Sequence, residues 1–323
     1  MIFVAPEREA CVAGSARVTP TRDQFTGCLL GLALGDAFGA PYEGGLLERA
    51  LWRAIGRTPS GAMRYTDDTQ MSLDLAESLI ANGRLDLADV ATRFATSYRW
   101  SRGYGPGAAK VLKRIRAGAG WEAASRSVYP EGSFGNGGAM RAPVVGLAYW
   151  RDRAQLLNAA QRSAKITHAH PLAIEGAAIV ALATASALTA KSSLEILEAA
   201  EMHASSPNFV ERLSLSRRWL EASADCSPTE VRTRLGMGIV ATQSCITGVY
   251  LALRFLEQPL ETLLSFVASC GGDVDTVGAM AGAIWGAFRG EAKLPAALLE
   301  KLENRERIGA VARSLYEADE RSV

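Results

Sequence analysis

GGDVDTVGAMAGAIWGA, residues 271–287, opens on a glycine pair, sets two acids and a threonine at 273–276, and then runs without a charge to Ala287. Its apolar residues return every three or four positions, which predicts a helix over 276–289. Gly278, Gly282 and Gly286 stand at i, i+4 and i+8 and so share one side of that helix, a smooth ridge against which a second helix can pack closely. In an apolar membrane span such a ridge would serve dimerisation. Two acids at its start point instead to a helix buried in a protein core.

Outward from this stretch the same spacing recurs at 69–82, 86–100, 107–117, 152–166, 172–190, 207–223, 237–257 and 259–269. Ala, Leu, Arg and Glu fill most of these segments, and period-2 runs of Val, Ile, Thr and aromatics are nearly absent. The expected fold class is therefore all-α. Glycine-rich loops lie between the helices at 102–107 (RGYGPG), 132–138 (GSFGNGG) and 271–272, where backbone can approach a ligand closely. No linker, repeat or low-complexity tract interrupts residues 23–316, which reads as one domain. Residues 1–22 read as a loosely ordered extension and 317–323 (EADERSV) as a polar tail that frays.

Apolar residues make up 48% and charged residues 21%, the profile of a soluble globular protein. The net charge is +1, so there is no global attraction to nucleic acid or to a membrane surface. Five cysteines, widely spaced and never in C-x-x-C, define neither a disulfide framework nor a zinc site, and a reducing cytoplasm is the expected compartment.

Two acid clusters stand out. Thr66-Asp67-Asp68 precedes the helix predicted from 69, where the first-turn amides favour negative charge. A helix cap needs only one of these residues, and two adjacent carboxylates beside a hydroxyl suit a hard divalent cation. Asp273-Val274-Asp275-Thr276 repeats the arrangement at another helix start. Brought together, the clusters offer four carboxylates, a density of charge that is stable only if a cation neutralises it. Mg²⁺ suits oxygen ligands, and two ions close together can share an Asp; no His or Cys adjoins either cluster, which argues against zinc.

Taken in order, GCLLGLALGDAFGAPYEG (27–44), YTDDTQMSL (65–73), RGYGPGA (102–108), GSFGNGGAMR (132–141), ITHAHP (166–171) and GGDVDTVGAMAGAIWGA (271–287) resemble the ADP-ribosylglycohydrolase family over about residues 23–316. The resemblance implies an all-α fold with a dinuclear magnesium centre at the bottom of a cleft, ligated at Thr66, Asp67, Asp68, Asp273, Asp275 and Thr276, with Mn²⁺ as an alternative ion. It implies catalysis through Glu43, Asp68 and Asp275, Glu43 acting as general acid or base. Asp36 takes a structural hydrogen-bonding role beside the metals. Substrate contacts fall at Gly105, Gly107, Ser133, Phe134, Gly135, Asn136, His168 and Ile239, with Phe134 and Ile239 toward adenine and His168 near the ribose. Read by themselves, Glu43 is rather a solvated loop acid, the 132–138 loop an ordinary turn, and His168 and His170 structural histidines, and it is the resemblance that reverses the reading of Glu43; Arg141 reads as a core ion-pair partner.

RGYGPG and GSFGNGGAMR look closer to the branch of the family that acts on serine-linked ADP-ribose, poly(ADP-ribose) and O-acetyl-ADP-ribose than to the arginine branch. Residues 91–120 hold no acid, while Arg93, Arg99, Arg102, Lys110, Lys113, Arg114 and Arg116 surround RGYGPG. Part of that run is expected to receive the substrate pyrophosphate or a polyanionic product. The expected partners are ADP-ribose and ADP-ribosylated protein or poly(ADP-ribose), with no membrane and no sequence-specific nucleic acid, and the chain is expected to act as a monomer. The alternatives are an ADP-ribosyl-arginine hydrolase, a different magnesium-dependent diphosphate enzyme of the terpenoid-synthase kind, and a non-catalytic ADP-ribose reader.

Overall fold

The computed structural model describes residues 19–321, so the sequence expectation for 1–22 falls mostly outside the described residues. Seventeen α-helices and no β-strand are found among them. In chain order they begin with α1 (Arg22–Gly39), α2 (Leu46–Ile55), α3 (Asp67–Asn82), α4 (Leu87–Ser97), α5 (Pro106–Arg116) and α6 (Trp121–Val128). Next come α7 (Ala142–Ala148), α8 (Arg153–Lys165), α9 (Pro171–Ala187), α10 (Ser193–Glu201), α11 (Pro207–Glu221) and α12 (Pro228–Arg234). The last are α13 (Ala241–Arg254), α14 (Leu260–Cys270), α15 (Val274–Arg289), α16 (Ala296–Leu299) and α17 (Arg305–Glu320). The fold is all-α. No helix among the described residues is long and apolar enough to cross a membrane.

The glycine ridge of α15 meets α1. Gly278, Gly282 and Gly286 face Gly35, Gly31 and Gly27, backbone against backbone, and a Cβ at any of these positions would collide with the carbonyl of its partner. The pairing is antiparallel, so the last turn of α1 lies beside the first turn of α15, with Gly39 against Asp275. Gly and Ala at the contact let the axes approach closely, and dispersion contacts then accumulate along the whole length. Both helices are buried nearly all round. One continuous core runs from Phe25 to Leu315 around them.

Helix α1 is not among the segments predicted from spacing. Apolar on every side, it carries no polar face from which a 3.6-residue stripe could be recognised. The helix predicted from 237 begins instead at Ala241, because Asn136 donates its backbone N–H to Ile239 O (3.0 Å) and Ala241 donates to Phe134 O (3.0 Å), holding 239–241 along the 134–136 loop. The helix predicted over 86–100 ends at Ser97, where Tyr98 turns to ψ 125°. At the C-terminus the expected frayed tail is helical as far as Glu320. Asp319 accepts from Trp150 Nε1 (3.0 Å) and Arg151 Nη2 (2.9 Å), which fastens α17 to the end of α7. Near the N-terminus, Thr21 already caps α1 in a capping box with Gln24, so 21–22 belong to the helix and not to the extension.

Candidate active site

Asp36 sits in the last turn of α1, fully buried. Its carboxylate accepts from Thr66 N (2.9 and 3.0 Å), Thr69 N (3.0 Å) and Thr69 Oγ1 (2.5 Å), which fixes the start of α3 against α1. The glycine ladder sets the start of α15 beside the same turn. Both acid clusters, about two hundred residues apart in sequence, are thereby brought to one place. Asp67, Asp68, Asp273, Asp275 and Thr276 line the floor of a cleft of about 190 Å³, and Glu43 stands on its wall.

The two clusters differ in how they use their caps. Thr66 is the N-cap of α3, its side chain accepting from Asp68 N (3.3 Å), and it lies buried behind the cleft surface. Asp273 is the N-cap of α15 but makes no side-chain capping bond. Its Oδ2 accepts from Asn136 Nδ2 (2.5 Å), and Asn136 also donates to Ser244 Oγ (2.9 Å). The predicted substrate loop is thus tied to the second acid cluster through Asn136.

Crowded carboxylates are costly here. Burial, and then the neighbouring charge of Asp36, raises the Asp67 and Asp68 carboxyls well above the usual range, and burial with the charge of Glu43 does the same to Asp275. Asp273 is raised by burial and held back by the Asn136 hydrogen bond. Asp68 Oδ2 is buried without a hydrogen-bond partner, an arrangement that costs free energy unless something else coordinates the oxygen. Glu43, Asp273 and Asp275 each bring one oxygen to within 4.8 Å of the others. An all-oxygen donor set with an orphaned carboxylate oxygen fits a hard divalent cation and not a soft one.

The cleft walls come from the glycine-rich loops. Gly105, Pro106, Gly107 and Ala108 line one side as the first turn of α5, which has no side-chain cap and no acid, so the positive end of its dipole faces the cleft. Ser133, Gly135, Asn136 and Gly137 line the other, with His168 and Ile239. Ile239 is 67% exposed and Phe134 52%, large apolar side chains left bare at the rim. Phe134 does not line the cleft itself; its ring meets His170 edge-on at 5.7 Å. His170 has the structural role, capping α9 by accepting from Leu172 N (3.2 Å).

Two sequence expectations fail. Arg141 belongs to no ion pair among the described residues: it is buried over the Phe94 ring and donates to Gly137 O, Ser163 O and Thr167 Oγ1. None of the seven cations of 91–120 lines the cleft. Arg93 pairs with Asp89 (2.7 Å) and Arg102 with Glu303 (2.6 Å), while Arg99 and Arg116 donate to backbone carbonyls at 95–98. Folding turned Arg93 and Arg102 to acids outside the acid-free stretch, and Arg99 and Arg116 to backbone carbonyls within it. Conversely, Gly103, Tyr129 and Met140 line the cleft without having been singled out. Gly103 lies in the noticed RGYGPG, at φ 83°, against Thr66 and Asp67. Tyr129 packs on Gly107, and nothing local to its sequence marks it.

A model of the ADP-ribosylglycohydrolase family matches residues 17–322. The chain is 32% identical to ADP-ribosylhydrolase ARH3 of Bos taurus over 97% of this chain and 98% of the relative. It is also 32% identical to ADP-ribosylhydrolase ARH3 of Homo sapiens, over 96% of each. A solved structure described as an ADP-ribosylglycohydrolase-related protein complex superposes with a TM-score of 0.64 at 29% identity, covering 92% of this chain and 98% of that one. With acid clusters, cleft and full-length similarity in agreement, the chain belongs to the ADP-ribosylglycohydrolase family of enzymes.

Proposed function

We propose that this chain is a magnesium-dependent ADP-ribosylhydrolase that frees ADP-ribose from serine, from poly(ADP-ribose) or from O-acetyl-ADP-ribose. The observation that carries the reading is the unpartnered, buried Asp68 Oδ2 among the carboxylates of the cleft floor. Thr66, Asp67, Asp68, Asp273, Asp275 and Thr276 would hold two ions, which supply Lewis acidity and offset the crowded negative charge. Asp36 and Asn136 keep those ligands in place from behind.

Glycosidic cleavage passes through an oxocarbenium-like transition state. Asp68 and Asp275 lie where their negative charge stabilises the positive charge that develops on the ribose. Glu43, on the cleft wall, takes a proton from the attacking water or gives one to the leaving oxygen. The first turn of α5 at Gly105 and Gly107 and the loop of Ser133, Gly135 and Asn136 receive the diphosphate with backbone N–H groups. Phe134 and Ile239 offer apolar surface to adenine. An O-linked leaving group is favoured over an arginine because Glu43, Asp67, Asp68, Asp273 and Asp275 are the acids of the cleft lining, and none lies outside the cluster to pair a guanidinium.

Turnover measured side by side on serine-, arginine-, poly- and O-acetyl-linked substrates, with Mg²⁺ and after chelation by EDTA, tests this. ADP-ribose released from the serine peptide only with Mg²⁺ is the expected result. Release from the arginine peptide with the serine peptide untouched assigns the other branch, activity that survives chelation refutes the metal site, and binding without turnover identifies a reader.

A further inference from the structure

Arg141, Thr167 and His168 form a buried line that ends in the cleft. The Arg141 guanidinium, wholly enclosed, can only donate, and its Nη2 lies 3.0 Å from Thr167 Oγ1. The same Oγ1 lies 2.8 Å from His168 Nδ1. Among the described residues Thr167 Oγ1 has these two partners and no third. Since one of them must donate to it, the threonine's own proton has a single acceptor in reach, His168 Nδ1.

We infer that Arg141 and Thr167 are positioning residues that fix the tautomer of His168, so that Nδ1 is the acceptor and Nε2 carries its proton toward the ligand. The ring is held neutral, its pKa lowered to about 3 by burial and then by the Arg141 charge. Nε2, the ring nitrogen that Thr167 leaves free, lies close to Gly135 and Gly137, which line the cleft with His168, and a Cβ on either glycine would crowd it at 3.1 and 3.0 Å. Those glycines leave room for the imidazole edge. A neutral Nε2–H donates a hydrogen bond and cannot abstract a proton, so His168 recognises an oxygen acceptor of the ligand, a ribose hydroxyl or phosphate oxygen, and general-base work falls elsewhere. Identification of that acceptor with ADP-ribose rests on the proposed function; the tautomer does not.

The protein has three histidines, His168, His170 and His203, so ¹⁵N–¹H long-range correlation spectra of the full chain are tractable, with His170→Gln and His203→Gln to assign them. The free protein is expected to show an unprotonated His168 Nδ1 and a protonated Nε2, unchanged from pH 5 to 8. Thr167→Val should mix the tautomers and weaken ADP-ribose binding by about 10-fold, and Thr167→Ser should restore both. A wild-type His168 protonated at Nδ1, titration of its ring within that range, or an unaltered tautomer in a folded Thr167→Val variant would overturn the inference. If the tautomer is as stated and ADP-ribose does not bind, the positioning stands and the ligand reading fails.

Discussion

Asp36 takes hydrogen bonds from both Thr66 and Thr69 while lying too deep to touch a ligand, and its worth to the site is positional. Asp36→Asn would turn an amide N–H against the N–H groups it now receives. Activity should fall by about 10- to 100-fold, with metal affinity falling in parallel, as measured by turnover across an Mg²⁺ titration; an unchanged Mg²⁺ dependence would sink this role. Asp74, one turn further into α3, illustrates the opposite balance. It accepts from Gln70 Nε2 (3.0 Å) and from Ser97, yet burial pushes its carboxyl up to about 7. A raised carboxyl favours the protonated fold, so its stabilisation is complete below the unfolded value near 4 and is lost as pH climbs through 7. Asp74→Asn is therefore expected to gain stability relative to wild type between pH 4 and pH 8, by up to about 4 kcal/mol in urea denaturation; a difference that stays flat with pH contradicts it. Among single residues, the acid clusters, Glu43 and the glycine loops were legible in the sequence because chemistry needs those residue types at those spacings. Tyr129 and the true partners of Arg102 and Arg141 were not, because each depends on a contact made across the fold.

At the scale of the element, the α1–α15 pair is the scaffold of the site. Gly31→Ala and Gly282→Ala each put a methyl into a facing carbonyl, with no flexible side chain to give way. Each should cost about 3 kcal/mol of stability and lower activity as well, because α15 carries Asp275 and Thr276 on its first turn. Gly120→Ala is the control: no atom lies within 4 Å of the added Cβ at φ −60°, so it should stay within about 0.5 kcal/mol of wild type. Thermal melts and turnover of the three proteins, run together, would show whether stability and activity fall as a pair. Helices with one apolar stripe, such as α3, α5 and α11, could be read from spacing to within a residue or two. Helix α1, apolar on every side, and the four-residue α16 could not, since periodicity reports a face and these have too little of one, whereas the equally buried α15 was legible through its acids and its glycines at helical spacing.

Over the whole molecule the acid floor makes the metal-free protein bear an electrostatic cost that a bound cation removes. Mg²⁺ at about 100 times its dissociation constant should stabilise the fold by about 2.7 kcal/mol and raise Tm by several degrees over an EDTA-treated sample. The shift should shrink in Asp275→Asn; an equal shift there would place the ion elsewhere. The four described cysteines, Cys28, Cys226, Cys245 and Cys270, are free and buried, so Tm should be indifferent to reductant.

From the sequence by itself came the all-α class, the two acid clusters, the glycine ridge and the family resemblance, because periodicity, cation chemistry and close helix packing each demand particular residues at particular intervals. Which helix the ridge packs against, how Asp36 and Asn136 hold the two clusters at one cleft, and where the cations of 91–120 turn were settled only on folding. Those facts depend on contacts between segments far apart in the chain, where the partner is chosen by shape and burial and leaves no mark on the local sequence.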